Sequence, residues 1–141
     1  MIAIDNENGS VLLLNKPLKW TSFDVVNFVR GIVKVKVGHA GTLDPLASGL
    51  LILCTGKMTK QIDNYQAQEK EYTGVITLGA TTPSFDLETE IDARFSIDNL
   101  NETTIKEAAV QLTGVLHQLP PAHSAKRIDG ERAYLKARRG E

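Results

Sequence analysis

Residues 38–53 read GHAGTLDPLASGLLIL, a loop rich in glycine and proline that leads directly into four apolar residues. The apolar run at 50–53 predicts a buried strand, because turn-forming residues bound it and its length suits a strand. Asp44 precedes Pro45, which favours an extended backbone at the aspartate. For an isolated Asp-Pro pair, the simpler interpretation is a turn whose aspartate caps backbone amides. The longer stretch instead predicts a carboxylate held on a stiff loop beside a core strand, as catalytic groups often are.

Length and composition predict one globular domain. The chain has 141 residues, of which 42% are hydrophobic, so it is long enough to bury a core. No apolar run reaches the length that spans a membrane, and residues 1–7 lack the pattern of a signal peptide. The lone cysteine, Cys54, cannot form an internal disulfide, which fits a reducing compartment. We therefore expect a cytoplasmic protein without a membrane segment.

Charge is distributed unevenly along the chain. The formal net charge is −1, but residues 1–60 carry +3, residues 61–110 carry −7 and residues 111–141 carry +3. A polyanion would contact the two basic ends, because phosphate contacts supply most sequence-independent affinity for nucleic acids. Solvated helix faces would produce similar blocks of charge, so the distribution is compatible with RNA binding without establishing it.

The pattern of apolar residues and turn signals predicts an α+β fold without regular β-α-β alternation. In the first half, Ser22 is the expected cap of a helix that carries Val25, Val29, Ile32 and Val33. In the second half, a capping box at residues 104–107 opens a helix, unless Asn101 caps it one turn earlier. The predicted strands are 11–14, 50–54, 72–78 and a short one near 91–95; the predicted helices are 22 to about 38, 55–66, 104–114 and 131–139.

Three further segments accompany the Asp44 loop in a fixed order. Residues 14–17 read LNKP and are followed by TSFD at 21–24; residues 70–72 read KEY and are followed by LG at 78–79. Residues 118–121 read QLPP and are followed by SA at 124–125 and GERAY at 130–134. With the loop at 38–49, these segments resemble the motifs of the TruB family of tRNA pseudouridine synthases. Four collinear matches cover nearly the whole chain.

The resemblance implies a fold and an activity. It implies an α+β fold with a mixed, mainly antiparallel sheet flanked by helices. It also implies isomerisation of uridine to pseudouridine at position 55, in the T-loop of tRNA, after the base is flipped out of its stack. The stand-alone bacterial type is favoured over relatives in box H/ACA particles. Neither a cofactor nor a metal is expected; in addition, His39 has no second histidine or cysteine nearby at ligand spacing.

The same resemblance assigns roles to individual residues. Asp44 is the expected catalytic group, either attacking C1′ of the ribose or taking a proton from C2′. Tyr72 is expected to pack against the target base, and His39 to lie beside the space that the flipped base leaves. Lys16, beside Pro17, is included in the substrate-binding set as a residue that supports the site. Apart from the resemblance, the basic C-terminal stretch supplies the expected phosphate contacts, which are Lys126, Arg127, Arg132, Arg138 and Arg139; for the last three, a solvated basic helix is the alternative.

Family members continue beyond the position of Glu141. The expectation is therefore that residues 1–141 are the N-terminal part of the catalytic domain, without its C-terminal segment or a PUA-type domain. Weak activity in isolation and self-association through an exposed sheet edge are expected as well. A non-catalytic RNA-binding or RNA-folding module on the same scaffold is the alternative function. A carboxylate-based N-glycosidase is a third, disfavoured because such enzymes normally need a second positioned acid.

Overall fold

The computed structural model describes residue 5 and residues 7–117, 127–128, 130–132 and 136. The chain divides into two compact units between Thr73 and Gly74. All described strand pairs are antiparallel and occur together with α-helices, so the predicted α+β class with a mainly antiparallel sheet is confirmed.

The first unit is built on a three-stranded sheet. Its strands are β1 (Val11–Lys16), β2 (Val37–Ala40) and β3 (Gly49–Thr55), and β3 lies in the middle. The register pairs Leu12 with Leu53, so these two side chains share one face of the sheet. The predicted strands at 11–14 and 50–54 are thus confirmed, each slightly longer than expected. β2 was not expected, and it places the Asp44 loop, residues 41–48, between two paired strands.

Helix α1 (Ser22–Val33) covers one face of this sheet. Its buried residues Val25, Val26 and Val29 form a single apolar cluster with four sheet residues, Leu12, Val37, Leu51 and Leu53. The helical spacing of the valines thus identified the correct face. Ile32 was expected on that face but is 65% exposed, because only one stripe of a helix can contact a sheet.

Both ends of α1 differ from the sequence prediction. Thr21, rather than Ser22, is the N-cap: its hydroxyl accepts from the Asp24 N–H, and the Asp24 carboxylate accepts from the Thr21 N–H in a capping box. The helix stops at Val33 because Lys34 adopts a left-handed backbone, with φ 54°. Gly38, the expected end of the helix, lies in β2 instead.

The opposite face of the sheet carries a shorter helical segment. The helix expected at 55–66 is a 3₁₀ helix, Gly56–Gln61, continued by α2, Ile62–Gln66. Ile62 packs over Gly38, where a Cβ would lie 2.6 Å from its Cδ1 atom. Cys54 pairs with Gly38 in the register and is fully buried, as expected for a thiol in a core strand. The sheet therefore lies between α1 and the segment that ends in α2.

In its described residues, the second unit contains short strand pairs and one longer helix. β4 (Ala80–Thr81) pairs with β5 (Ala93–Arg94), and β6 (Arg127–Ile128) pairs with β7 (Glu131–Arg132). The short strand expected near 91–95 is therefore confirmed. The basic helix expected at 131–139 is wrong at its start, which forms β7, and most of it lies outside the described residues.

Helix α3, Glu102–Gln111, is the longer element of the second unit. Its N-cap is Asn101, so the second of the two predicted starts is correct and the capping box at residues 104–107 is not the start of the helix. The helix ends before Gly114. The Asn101 side chain accepts from the Thr104 N–H, and the Thr104 hydroxyl accepts from the Asn101 N–H. No helix among the described residues is both long and apolar enough to cross a membrane.

The strand predicted at 72–78 does not form. Residues 69–78 have no regular secondary structure, and Val75 and Ile76 are 96% and 85% exposed. Alternating residues become a strand only when a neighbouring strand accepts their backbone hydrogen bonds. No described strand pairs with this segment, so the sequence preference alone does not fix its conformation.

Gly9 provides a stability test for the first unit. A Cβ at Gly9 would lie 2.0 Å from the carbonyl oxygen of Thr55, and its φ of +85° disfavours other residues. We expect Gly9→Ala to lower the free energy of unfolding by about 1–3 kcal/mol, as overpacking does. Gly31→Ala is the matched control, because nothing lies within 4 Å of its added Cβ on α1. It should raise stability by about 0.5–1 kcal/mol. Urea unfolding measures both, and similar midpoints would contradict the packing of Gly9.

Candidate active site

The Asp44 loop makes a tight turn at the aspartate. The carbonyl oxygen of Asp44 accepts a hydrogen bond from the Ala47 N–H at 3.0 Å, which closes a β-turn over residues 44–47. Pro45 occupies the second position of this turn, where its fixed φ is favourable. The Asp44 side chain is exposed. The loop thus presents the carboxylate to solvent on a constrained backbone.

The residues on both sides of Asp44 are bound to the first residue of α1 and to the turn before it. The backbone N–H of Leu43 donates to Ser22 Oγ at 2.9 Å, and this hydroxyl donates to the Leu43 carbonyl oxygen at 3.2 Å. After the aspartate, the Pro45 carbonyl oxygen accepts from the Lys19 N–H at 2.7 Å. These bonds satisfy backbone groups that have no partner within the loop.

Lys16 lies beneath this segment and is completely buried. Its Nζ donates to the carbonyl oxygens of Pro17, at 3.0 Å, and Trp20, at 2.7 Å. Burial lowers the pKa of the Lys16 ammonium, and the carboxylates of Asp44 and Asp24 partly oppose this change. Because its ammonium donates to these backbone carbonyls, Lys16 holds the turn at residues 17–20.

His39 lies in β2 and is half-buried. Its Nδ1 is hydrogen-bonded to the carbonyl oxygen of Gly41, the first residue of the Asp44 loop. A carbonyl can only accept, so Nδ1 carries the proton and Nε2 is left as the second polar atom of the ring. The register places His39 opposite Leu53, on the face of the sheet that α1 covers.

A groove of about 700 Å³ lies beside the loop within the first unit. Tyr72, expected to contact the substrate, lines it and is 70% exposed. Lys70 also lines it, with Nζ donating to the carbonyl oxygens of Gln66 and Gln68. A Cβ at Gly41 would lie 3.9 Å from Cε of Lys70, so this lysine lies against the Asp44 loop. The lining as a whole consists of residues 40–43, 46–52, Tyr65 and 68–73.

The structure places the predicted site residues differently with respect to the groove. Tyr72 lines it, whereas Asp44 does not; Asp44 lies in the turn between the two loop stretches, 40–43 and 46–52, that line it. His39 is hydrogen-bonded to Gly41 of the loop, and Lys16 holds the turn at residues 17–20; neither residue lines the groove. Lys126 and the side chain of Arg127 lie outside the described residues. In the described part of the chain, no three His, Cys, Asp or Glu side chains are placed to hold a metal ion.

Two contributors were not identified from the sequence. Ser22 was assigned to the helix cap, whereas its hydroxyl binds the loop, and Tyr65 of α2 lines the groove. The sequence signal for Ser22 was its place after Thr21, because only one of two adjacent hydroxyl residues can be the N-cap. No sequence pattern pointed to Tyr65, since its position depends on how α2 folds back over the sheet.

Comparison with known protein families gives the same family as the sequence motifs. The sequence model of a family described as "TruB family pseudouridylate synthase (N terminal domain)" matches residues 30–141, which include the Asp44 loop and Tyr72. The chain belongs to the TruB family. Its resemblance at the level of short motifs is thus confirmed over most of its length.

Curated relatives of this TruB-family chain are named tRNA pseudouridine synthase B. The protein of Phocaeicola vulgatus is 52% identical over 96% of the chain and 60% of its own length. The protein of Flavobacterium johnsoniae is 53% identical over 94% of the chain and 62% of its own length. That of Chlorobaculum tepidum is 48% identical over 99% of the chain and 60% of its own length. The chain spans about three fifths of these relatives.

The burial of Lys16 predicts a pH dependence of stability. Because its pKa is lowered from the ordinary value of 10.5, the unfolded chain binds more protons than the folded one in the alkaline range. Below the lowered pKa, the contribution of Lys16 to the free energy of unfolding should be constant. Between the lowered pKa and 10.5, this contribution should rise with pH. Lys16→Met lacks this titration. As the pH is raised toward 10.5, the free energy of unfolding of the parent should therefore increase relative to that of the variant. Urea unfolding at several alkaline pH values measures it; a constant difference would contradict the result.

Proposed function

We propose that this chain carries the catalytic aspartate of a tRNA pseudouridine synthase, which converts uridine to pseudouridine at position 55 of the T-loop. The observation that carries the proposal is the exposed Asp44 carboxylate, held on a closed turn between two loop stretches that line the same groove as Tyr72. The names of the relatives support tRNA as the substrate.

The proposed reaction is an isomerisation. The N1–C1′ bond breaks, the uracil turns, and a C5–C1′ bond forms; the proton lost from C5 is balanced by the proton gained at N1. No oxidant, reductant or second substrate is consumed. Asp44 serves this reaction either by attacking C1′ or by taking the C2′ proton to give a glycal. Both routes need a carboxylate that can reach the ribose, as its exposure allows.

The target base must leave its stack before Asp44 can reach the sugar. Flipping a base costs a few kcal/mol, which contacts in the protein must offset. The groove has a volume of about 700 Å³, within the usual range for small-molecule sites. Tyr72 offers an exposed ring for stacking and a hydroxyl for removing the C5 proton. We therefore assign the flipped uracil to this groove.

The remaining predicted residues have supporting or binding roles in this proposal. His39 lies beside the space that the flipped base leaves, and its bond to Gly41 fixes the orientation of the ring. Lys16 supports the site through the turn at residues 17–20. Lys126 and Arg127 contact RNA phosphates, as basic side chains commonly do.

We further propose that residues 1–141 correspond to the N-terminal part of the catalytic domain. The share of the relatives that the chain matches, about three fifths, supports this assignment. The T-arm stem-loop is the proposed partner, in the cytoplasm where bacterial tRNA is modified. Self-association is proposed through the outer edges of β1 and β2, which have no strand partner among the described residues and could pair between copies.

Asp44→Asn tests the function directly. The amide keeps the shape of the side chain but can neither attack C1′ nor accept the C2′ proton, so pseudouridine formation should fall by at least about 10⁴-fold. Affinity for RNA should change less than about threefold, because one exposed carboxylate contributes little to phosphate binding. The assay is pseudouridine detection in an unmodified tRNA T-arm stem-loop. It is run with this chain and with an extended chain, in which the C-terminal segment of the Phocaeicola vulgatus relative follows Glu141.

Asp63→Asn is the matched control, because Asp63 is an exposed aspartate on α2 in the same unit. It should leave turnover unchanged. Turnover by Asp44→Asn equal to that of the parent would refute the assignment of Asp44. RNA binding without product in the parent extended chain would favour the non-catalytic module, and release of free uracil would favour an N-glycosidase.

Tyr72→Phe separates stacking from proton transfer. The phenyl ring keeps the stacking surface, so RNA affinity should remain, whereas loss of the hydroxyl should lower kcat by about 10²- to 10⁴-fold. Tyr65→Phe is the control, because it removes a hydroxyl from the same groove at a half-buried position. Single-turnover kinetics of the extended chain measure both variants. Equal rates for the two variants would contradict a proton-transfer role of Tyr72.

A further inference from the structure

Ser22 has a buried hydroxyl whose described bonds all go to one residue of the Asp44 loop. The side chain is 2% exposed, and Ser22 Oγ lies 2.9 Å from the backbone nitrogen of Leu43 and 3.2 Å from its carbonyl oxygen. One hydroxyl therefore accepts from and donates to the same residue. That residue immediately precedes Asp44, so the bonds fix the backbone at the point where the carboxylate leaves it.

The helix does not need this hydroxyl. Thr21 is the N-cap and, with Asp24, completes a reciprocal capping box. Ser22 is the first residue of α1, and its side chain makes no capping bond in the structure. Since Thr21 and Asp24 form the capping box at this end of the helix without Ser22, the bonds of Ser22 to Leu43 serve the loop.

A second anchor lies on the other side of Asp44. The Lys19 N–H donates to the carbonyl oxygen of Pro45 at 2.7 Å, and Lys19 adopts a left-handed backbone with φ 67°. The two anchors hold the residues before and after Asp44, and both belong to the segment 19–22. The loop is therefore held by α1 and by the turn before it. The contact is distant in sequence, because 21 residues separate Ser22 from Leu43.

We infer that Ser22 is a positioning residue for Asp44: its hydroxyl holds Leu43 so that the carboxylate meets the ribose in a reactive orientation. This inference rests on the proposed isomerase function. A displacement of about 1 Å at a reacting group is enough to cost about 10²-fold in rate. Ser22→Ala should therefore lower kcat by about 10- to 100-fold while leaving the Kd for RNA within about twofold.

The test compares three variants of the extended chain with its parent. Ser22→Ala removes the hydroxyl, and Ser22→Thr keeps it. Thr21→Ala removes the helix cap one residue earlier and leaves the bonds to Leu43 in place. Each variant is measured for urea unfolding, kcat and Kd with the T-arm stem-loop. Hydrogen exchange of the Leu43 amide is followed in the same samples, and in this chain without the extension.

The inference predicts a distinct pattern across these variants. In Ser22→Ala, the Leu43 amide should exchange at least about fivefold faster, as expected for loss of one hydrogen bond, and kcat should fall. Ser22→Thr should keep slow exchange and most of kcat. Thr21→Ala should lower the unfolding free energy while kcat and Leu43 exchange stay near those of the parent.

Two results would overturn the inference while leaving the proposed function intact. In the first, the parent forms pseudouridine and Asp44→Asn is inactive, but Ser22→Ala has the same kcat as the parent. The other is an equal loss of kcat in Ser22→Ala and Thr21→Ala, which would indicate general helix stability. A parent extended chain that forms no pseudouridine would overturn the proposed function, and the inference with it.

Discussion

The packing of α1 against one face of the β1–β3–β2 sheet is the interaction on which the rest of the first unit depends. It buries three helix valines against Leu12, Val37, Leu51 and Leu53, and so fixes where the helix begins. That beginning lies beside the loop between β2 and β3, because Ser22 and Leu43 are within hydrogen-bond distance. The apolar packing of α1 on the sheet thus determines where the hydrogen bonds between Ser22 and Leu43 form.

The site follows from how an irregular loop satisfies its backbone groups. A loop between two paired strands leaves several N–H and C=O groups without ladder partners, and those shielded from water need other partners. Here the partners are the Ser22 hydroxyl, the Lys19 amide and the loop's own Ala47 amide. Each of these bonds involves Asp44 or a residue next to it. Satisfying the backbone therefore also orients the exposed carboxylate.

The sequence predicted what depends on local pattern. The apolar run bounded by turn residues predicted β3, and the helical spacing of the valines predicted the buried stripe of α1. β2 is only four residues long and contains Gly38, so it carries little strand signal. The expected strand at 72–78 failed for the opposite reason: its pattern is adequate, but no described strand pairs with it. The Ser22–Leu43 contact joins residues far apart in sequence, and no local pattern reports such a pair.

Two unfavourable features lie close together in the segment that holds the Asp44 loop. Lys16 is buried with its ammonium facing carbonyls, which lowers its pKa, and Lys19 has a left-handed backbone that costs about 1–2 kcal/mol for a residue other than glycine. Neither is needed to pack α1 on the sheet. Both shape the turn at residues 17–20, whose Lys19 amide binds Pro45. Strain and buried charge persist where surrounding structure enforces them, and in proteins they concentrate at functional sites. Their position beside Asp44 is therefore independent physical support for a site at this loop.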